Sequence, residues 1–150
     1  MNPISATLGV SNASFVAQTG DWIPAHLFAT IQAAYHHNGF AFVRVLQRCP
    51  QYTDHLFEAA MRDPSLVELL VHPDGVELPE LGRIFKNQLR HDPADLDEAR
   101  RLAEPDGKIR LGVFYRNENQ PVYEEVRQVP QHTAAEKIRL LQAELDRYAV

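Results

Sequence analysis

Cysteine is almost absent from this chain: Cys49 stands alone among 150 residues. A single thiol excludes an internal disulfide framework, and it excludes a metal site built from this chain's thiolates alone. It fits a reducing, cytoplasmic setting. Glycine is sparse as well, seven in all, and neither a GxGxxG nor a GxxxxGK[ST] arrangement occurs. The main cradle for a phosphate-bearing cofactor is therefore not supplied here. Basic residues are outnumbered, 15 Lys and Arg against 20 Asp and Glu. Without a clustered basic face, no nucleic-acid partner is expected. No apolar run reaches the length that crosses a bilayer, so no membrane partner is expected either. The first basic residue is Arg44, which speaks against a secretory signal. The opening MNPISATLGVSNASFVAQ carries no charge before Asp21 and reads like the middle of a domain, predicting that more chain belongs upstream.

What is present is enough for a sizeable core, with 45% hydrophobic residues. Ala13 to Gln18, ASFVAQ, reads as a short strand. After the TGDW turn, Pro24 suits the first position of a helix, where its missing N–H costs nothing. Leu27, Phe28, Ile31 and Ala34 then recur every three to four residues, predicting a helix over 24–37. Asn38-Gly39 closes it, Gly39 being free to take positive φ. FAFVRVLQ follows, apolar on both parities except at Arg44, which predicts a strand covered on both faces. Strand, helix and strand with short links make a parallel β-α-β unit, so the fold class is α/β.

Beyond Pro50 the texture is looser and punctuated by Pro64, Pro73 and Pro79. Thr53 or Asp54 is positioned to cap a helix reaching Met61, and PSLVELLV suggests another short helix. HPDG, His72 to Gly75, is a turn signal. DPADLDEARRLAE reads as a helix capped by Asp92 with Pro93 at its first position. IRLGVFYR, Ile109 to Arg116, is the last strand. The tail opens with a capping box, Thr133 and Glu136, and carries an apolar stripe of Ile138, Leu141, Leu145 and Tyr148. Two regions result: residues 1–50, part of a regular parallel sheet, and residues 51–150, an extension that packs on something.

Cys49 sits just past the carboxyl end of a strand, where α/β sheets gather ligands. Pattern alone favours a small buried hydrophobe. The rival readings are a metal ligand and a nucleophile activated by His55. None of the seven histidines, His26, His36, His37, His55, His72, His91 and His132, forms a zinc-ligand spacing with another. His36 and His37 suit a helix C-terminus. No catalytic residue is assigned from the pattern.

Taken in order, Asn2-Pro3, ASFVAQ, the helix ending at His36 to Gly39, GFAFVRVLQRCP over Gly39 to Pro50, and LGVFYRNENQPVYEE over Leu111 to Glu125 are similar to a known family. The chain resembles the C-terminal part of the beta subunit of thiamine-diphosphate-dependent 2-oxoacid:ferredoxin oxidoreductases, the 2-oxoglutarate-type branch more than the pyruvate type. The resemblance implies an α/β fold: the C-terminal part of a parallel-sheet thiamine-diphosphate-binding domain over 1–50, then a mostly helical extension over 51–150. It implies that Cys49 is the fourth thiolate of a four-iron four-sulfur cluster, a metal ligand whose three companions lie outside this chain. Thiamine diphosphate and magnesium would be held elsewhere in the full enzyme. The implied partners are the alpha subunit and the N-terminal part of the beta subunit, with ferredoxin and coenzyme A for the assembled enzyme; homo-oligomers are possible. Arg48 departs from the family pattern, which often has proline before this cysteine. The main rival is a non-catalytic interaction module docking on a partner subunit.

Overall fold

The computed structural model describes residues 2–10, 12–73, 75, 76, 78, 80–128, 130 and 132–148. They fall into two compact units, 1–120 and 121–150. The first contains a five-stranded sheet in the order β2-β1-β5-β3-β4. Its strands are β1 (Ala13–Gly20), β2 (Phe40–Leu46), β3 (Val67–Val71), β4 (Asn87–Arg90) and β5 (Ile109–Arg116). The helices are α1 (Pro3–Thr7), α2 (Pro24–His36), α3 (Glu58–Arg62), α4 (Leu81–Ile84) and α5 (Leu96–Leu102). The α/β expectation holds. β1 pairs parallel with β2, and β3 pairs parallel with both β4 and β5. The join between these groups is antiparallel, β1 against β5.

Side chains alternate across a strand, so the central strands of the sheet feed cores on both faces. Val16 of β1 and Phe114 of β5 point to a cluster with Ile4 and Leu8 around α1 and with Ala99 and Ala103 around α5. Phe15, Ala17 and Val113 point the other way, against Ala33 and Ala34 of α2. A third cluster fills the far end with Ile23, Leu46, Val67, Leu69, Phe85 and Leu111. Asn2 caps α1 through its side chain, and Pro24 opens α2 as expected. Gly39 does take positive φ, at 130°.

Several local expectations give way to tertiary packing. VELLV is a strand, not a helix; a 3-10 turn over Pro64–Leu66 leads into it. A run buried on both faces lacks the period that separates strand from helix. The helix expected from Thr53 starts only at Glu58, after Phe57 adopts φ 64°. The later helix is capped by Asp95, which accepts from the Asp97 and Glu98 amides, rather than by Asp92. β2 is not covered on both faces: it is the sheet's edge and mostly half-buried. Gly75 N–H donates to the His72 carbonyl, closing the expected turn, while Asp74 lies outside the described residues, as does Pro79. Among the described residues no helix is long and apolar enough to cross a membrane.

The second unit holds α6 (Tyr123–Val126) and α7 (Ala134–Asp146). The Thr133–Glu136 capping box forms as expected.

Candidate functional site

β1 and β2 end together, Gly20 beside Leu46, and the Asp21 amide donates to the Leu46 carbonyl. The chain leaves β2 there and turns. The Cys49 amide donates to Thr53 Oγ1 at 2.8 Å, and the Thr53 amide donates back to the Cys49 carbonyl at 2.8 Å. This reciprocal pair closes residues 49–53 into a turn whose backbone direction is set. Trp22 stacks on Phe57, with ring centroids 5.9 Å apart. The thiol itself is exposed. It is therefore not a core residue, contrary to what pattern alone favours.

The His55 ring is held by carboxylates. The ring lies 3.3 Å from Glu58 through Nδ1 and 3.3 Å from Asp54 through Nε2. Both nitrogens face its own acidic neighbours. Among the described residues, no three His, Cys, Asp or Glu side chains gather as a metal site. One exposed thiolate on a fixed turn fits a single corner of an iron–sulfur cluster and no more.

Two histidines have structural work that their sequence positions did not disclose. His26 is buried on α2, with Nδ1 2.8 Å from the Thr19 hydroxyl, and burial pushes its pKa down to about 4. His37 reaches back to Ser14, Nε2 to Oγ at 2.9 Å. This pair has the look of a nucleophile and its base. Yet Ser14 is fully buried and donates its one hydroxyl proton to the Phe40 carbonyl. His37 must then donate to Oγ, which is the reverse of what activation of the serine needs. Burial, with Arg116 nearby, also lowers the His37 pKa, against a smaller opposing pull from Glu118. The pair is a clamp between β1 and the start of β2. Its one sequence signal is Gly39, where a Cβ would meet Ser14 Oγ.

On the α1 side of the sheet, a cavity of about 320 Å³ is lined by Asn2, Gln18, Arg44, Lys108 and Arg110 among others. Arg44 donates to the side-chain oxygens of Gln18 and Asn2. Gln18 in turn donates to the Arg110 carbonyl at 2.8 Å. Lys108 and Arg110 both bind Glu68, each at 2.8 Å. Burial alone would raise the Glu68 carboxyl, but the bonds from Lys108 and Arg110 outweigh it and hold it below the usual range. Lys108, just before β5, and Arg110 on it are thus already committed to carboxylates.

Comparison with known proteins gives this arrangement a context. A family model for the C-terminal region of the pyruvate ferredoxin oxidoreductase beta subunit matches residues 82–132. A 2-oxoacid:ferredoxin oxidoreductase subunit beta from Sulfolobus sp is 31% identical over 125 residues, 83% of this chain and 38% of that protein. A solved 2-oxoglutarate:ferredoxin oxidoreductase from Magnetococcus marinus, with 2-oxoglutarate, coenzyme A and succinyl-CoA bound, superposes with a TM-score of 0.63 at 26% identity. That superposition covers 95% of this chain and 44% of the other. The chain matches the C-terminal part of a 2-oxoacid:ferredoxin oxidoreductase beta subunit. It spans less than half the length of these relatives. The residues matched by the family model all lie beyond Cys49, running from within α4 through β4, α5 and β5 into the second unit. The Sulfolobus beta subunit and the Magnetococcus enzyme are similar over a wider stretch, which carries the correspondence to most of the chain.

Proposed function

We propose that the chain works as the C-terminal part of a 2-oxoacid:ferredoxin oxidoreductase beta subunit, within an enzyme that decarboxylates a 2-oxoacid, forms the acyl-CoA and reduces ferredoxin. The observation that carries this reading is the likeness of 95% of the chain to an enzyme of that class at a TM-score of 0.63. In this reading 2-oxoglutarate is preferred over pyruvate as substrate. Residues 1–50 complete the sheet of the thiamine-diphosphate domain and 51–150 form its extension. Thiamine diphosphate and magnesium are held outside this chain, which has no glycine-rich diphosphate cradle. The enzyme is completed by the alpha subunit and by the N-terminal part of the beta subunit.

Cys49 supplies one thiolate to a four-iron four-sulfur cluster. Thiolates suit such clusters, which take up and release electrons when bound. This chain's own contribution is directional: the bonds between Cys49 and Thr53 fix the backbone from which the thiol projects. A single ligand cannot hold a cluster, so the isolated chain is inactive.

Iron and acid-labile sulfide analysis of the anaerobically assembled enzyme tests the assignment. Cys49→Ser is expected to lower cluster content and visible absorbance while leaving assembly intact. Unchanged cluster content in that variant refutes the ligand role. Turnover of a thioester or peptide by the isolated chain would replace this reading with that of a thiol enzyme.

A further inference from the structure

A row of polar side chains crosses the sheet on its α1 side. Gln18 of β1 lies in register with Arg44 of β2 and with Gly112 of β5. Arg110, two residues before Gly112 and so on the same face, is in register with Glu68 of β3. At the β3 end of this row the charges balance: Glu68 takes Lys108 and Arg110, and Arg110 also holds Asp106. At the β2 end they do not. Among the described residues Arg44 has only neutral partners, Gln18 Oε1 at 3.2 Å and Asn2 Oδ1 at 3.4 Å, both reached through Nη1. Both amides are held with those oxygens toward the guanidinium. Gln18 Nε2 donates to the Arg110 carbonyl at 2.8 Å, and Asn2 Nδ2 donates to the Ala103 carbonyl at 2.5 Å.

Nη1 is thereby fixed, while the adjacent Nε–H and Nη2–H groups of Arg44 have no partner among the described residues. That pair is the fork with which a guanidinium grips a carboxylate in two parallel bonds. Burial lowers the Arg44 pKa, and no opposite charge offsets it. Arg44 lines the cavity of about 320 Å³ described above. Leu46, Phe57, Leu102, Ile109 and Phe114 give that cavity an apolar wall. Its polar side holds the exposed Glu104 and the Lys108 ammonium, already shared with Glu68. One uncommitted guanidinium with Glu104 on the same lining suits a single negative charge better than a phosphate dianion. The apolar wall suits a short hydrocarbon body. Leu46 closes β2 and Phe57 follows the 49–53 turn, so both ends of the segment that carries Cys49 line the cavity.

We propose that this cavity binds a small monocarboxylic acid, its carboxylate held by Nε and Nη2 of Arg44 and its apolar end set against Leu46, Phe57 and Phe114. The site is built from this chain's residues alone and uses none of the bonds that fix the Cys49 turn. It therefore stands or falls independently of the family reading.

The test is titration of the full chain with butyrate, with butyramide as an uncharged match and with inorganic phosphate. Trp22, the sole tryptophan, stacks on Phe57, so its fluorescence reports on the cavity. Butyrate is expected to bind saturably, with a Kd on the order of 1 mM. Butyramide should bind at least about tenfold more weakly, and Arg44→Gln should weaken butyrate binding by at least about tenfold. A second readout needs no folded variant: in wild type the Arg44 Nε–H proton resonance should shift with butyrate and stay in place with butyramide. No saturable butyrate binding, equal binding by Arg44→Gln, or an Nε–H resonance that does not move overturns the site. Phosphate binding as tight as that of butyrate overturns the ligand class. Calorimetry of the assembled enzyme, wild type against Arg44→Gln, separates the two sources of a carboxylate. Butyrate binding that depends on Arg44 there supports the free acid, and its loss on assembly overturns it in favour of a protein carboxylate seated in the fork.

Discussion

The β1-α2-β2 unit and the strands added after residue 50 handle polarity in contrasting ways. The first buries neutral polar groups: Ser14, Thr19, His26, Thr30 and His37 are all enclosed and hydrogen bonded to one another or to backbone. The second encloses charge, with Glu68 of β3 held by Lys108 and Arg110, and Arg110 paired also with Asp106. Surfaces follow the same division. α2 presents aromatics without charge and β2 carries Arg44 as its one charge, whereas α5 and β4 present charged and amide side chains. A unit that neutralises its interior with ion pairs and shows polar edges is finished toward solvent. One that relies on neutral hydrogen bonds and shows apolar edges is finished toward more protein. The lesson is that one sheet carries both a charged, polar side and a largely uncharged, apolar one.

The seam between the two groups is where the contrast breaks most easily. Gly112 lies on β5 opposite Gln18 of β1, at φ 129°. A Cβ there would sit 2.9 Å from both Cβ and O of Leu70 on β3. Gly112→Ala adds left-handed strain, ~1–3 kcal/mol, to overpacking of similar size, for a total of about 4 kcal/mol. Chemical denaturation of the isolated chain should register that loss, and an effect below about 1 kcal/mol would mean that β5 shifts away from Leu70 of β3 at little cost.

Acid separates the two regions next. The His26 pKa is lowered by burial from 6.5 to about 4, so the folded chain binds fewer protons than the unfolded one between those values. Stability is full above pH 6.5 and falls as the pH drops toward 4, by about 3 kcal/mol in all. His37 and His91 are lowered in the same direction, chiefly by burial, and add to the slope. His26→Gln should therefore flatten, without abolishing, the dependence in denaturation curves collected across that window. An unchanged slope would show that His26 is charged when folded.

How much of this was legible in the residues depends on range. Pro24, the spacing of Leu27 to Ala34 and the turn at Gly39 are local signals, and they delivered the β-α-β unit with its parallel pairing. The Thr133 cap was equally local. β4 was invisible because Asn-Gln-Leu-Arg is short and polar, a strand only because β3 lies beside it. The antiparallel join of β1 to β5 spans nearly the whole first unit, and no periodicity encodes it. Cys49 was legible as a residue at a strand end; its exposure was not, since that depends on Thr53 folding the turn back. The exposed face of α2 was hidden for a related reason. Apolar spacing reads the same whether the covering surface is in the chain or outside it.

The smallest expected effect tests the later region's use of charge. Glu68 is 6% exposed and joins β3 to the start of β5 through Lys108 and Arg110. Glu68→Gln preserves shape and some hydrogen bonding but leaves two cations without their shared carboxylate. Breaking a fully buried pair costs ~3–5 kcal/mol. Lys108 is nearly half exposed and Arg110 keeps Asp106, so about 2 kcal/mol is expected here. The pH window also differs from that of the histidines. Glu68 titrates below its ordinary value of 4.5, so its contribution is full above that pH and is lost as the pH falls through the lower folded value. Denaturation of Glu68→Gln should run below wild type at pH 7 and converge on it in stronger acid, where the wild-type carboxylate is itself protonated. Parallel curves with no convergence would assign the loss to packing, and the later region would then differ from the first in its surface alone.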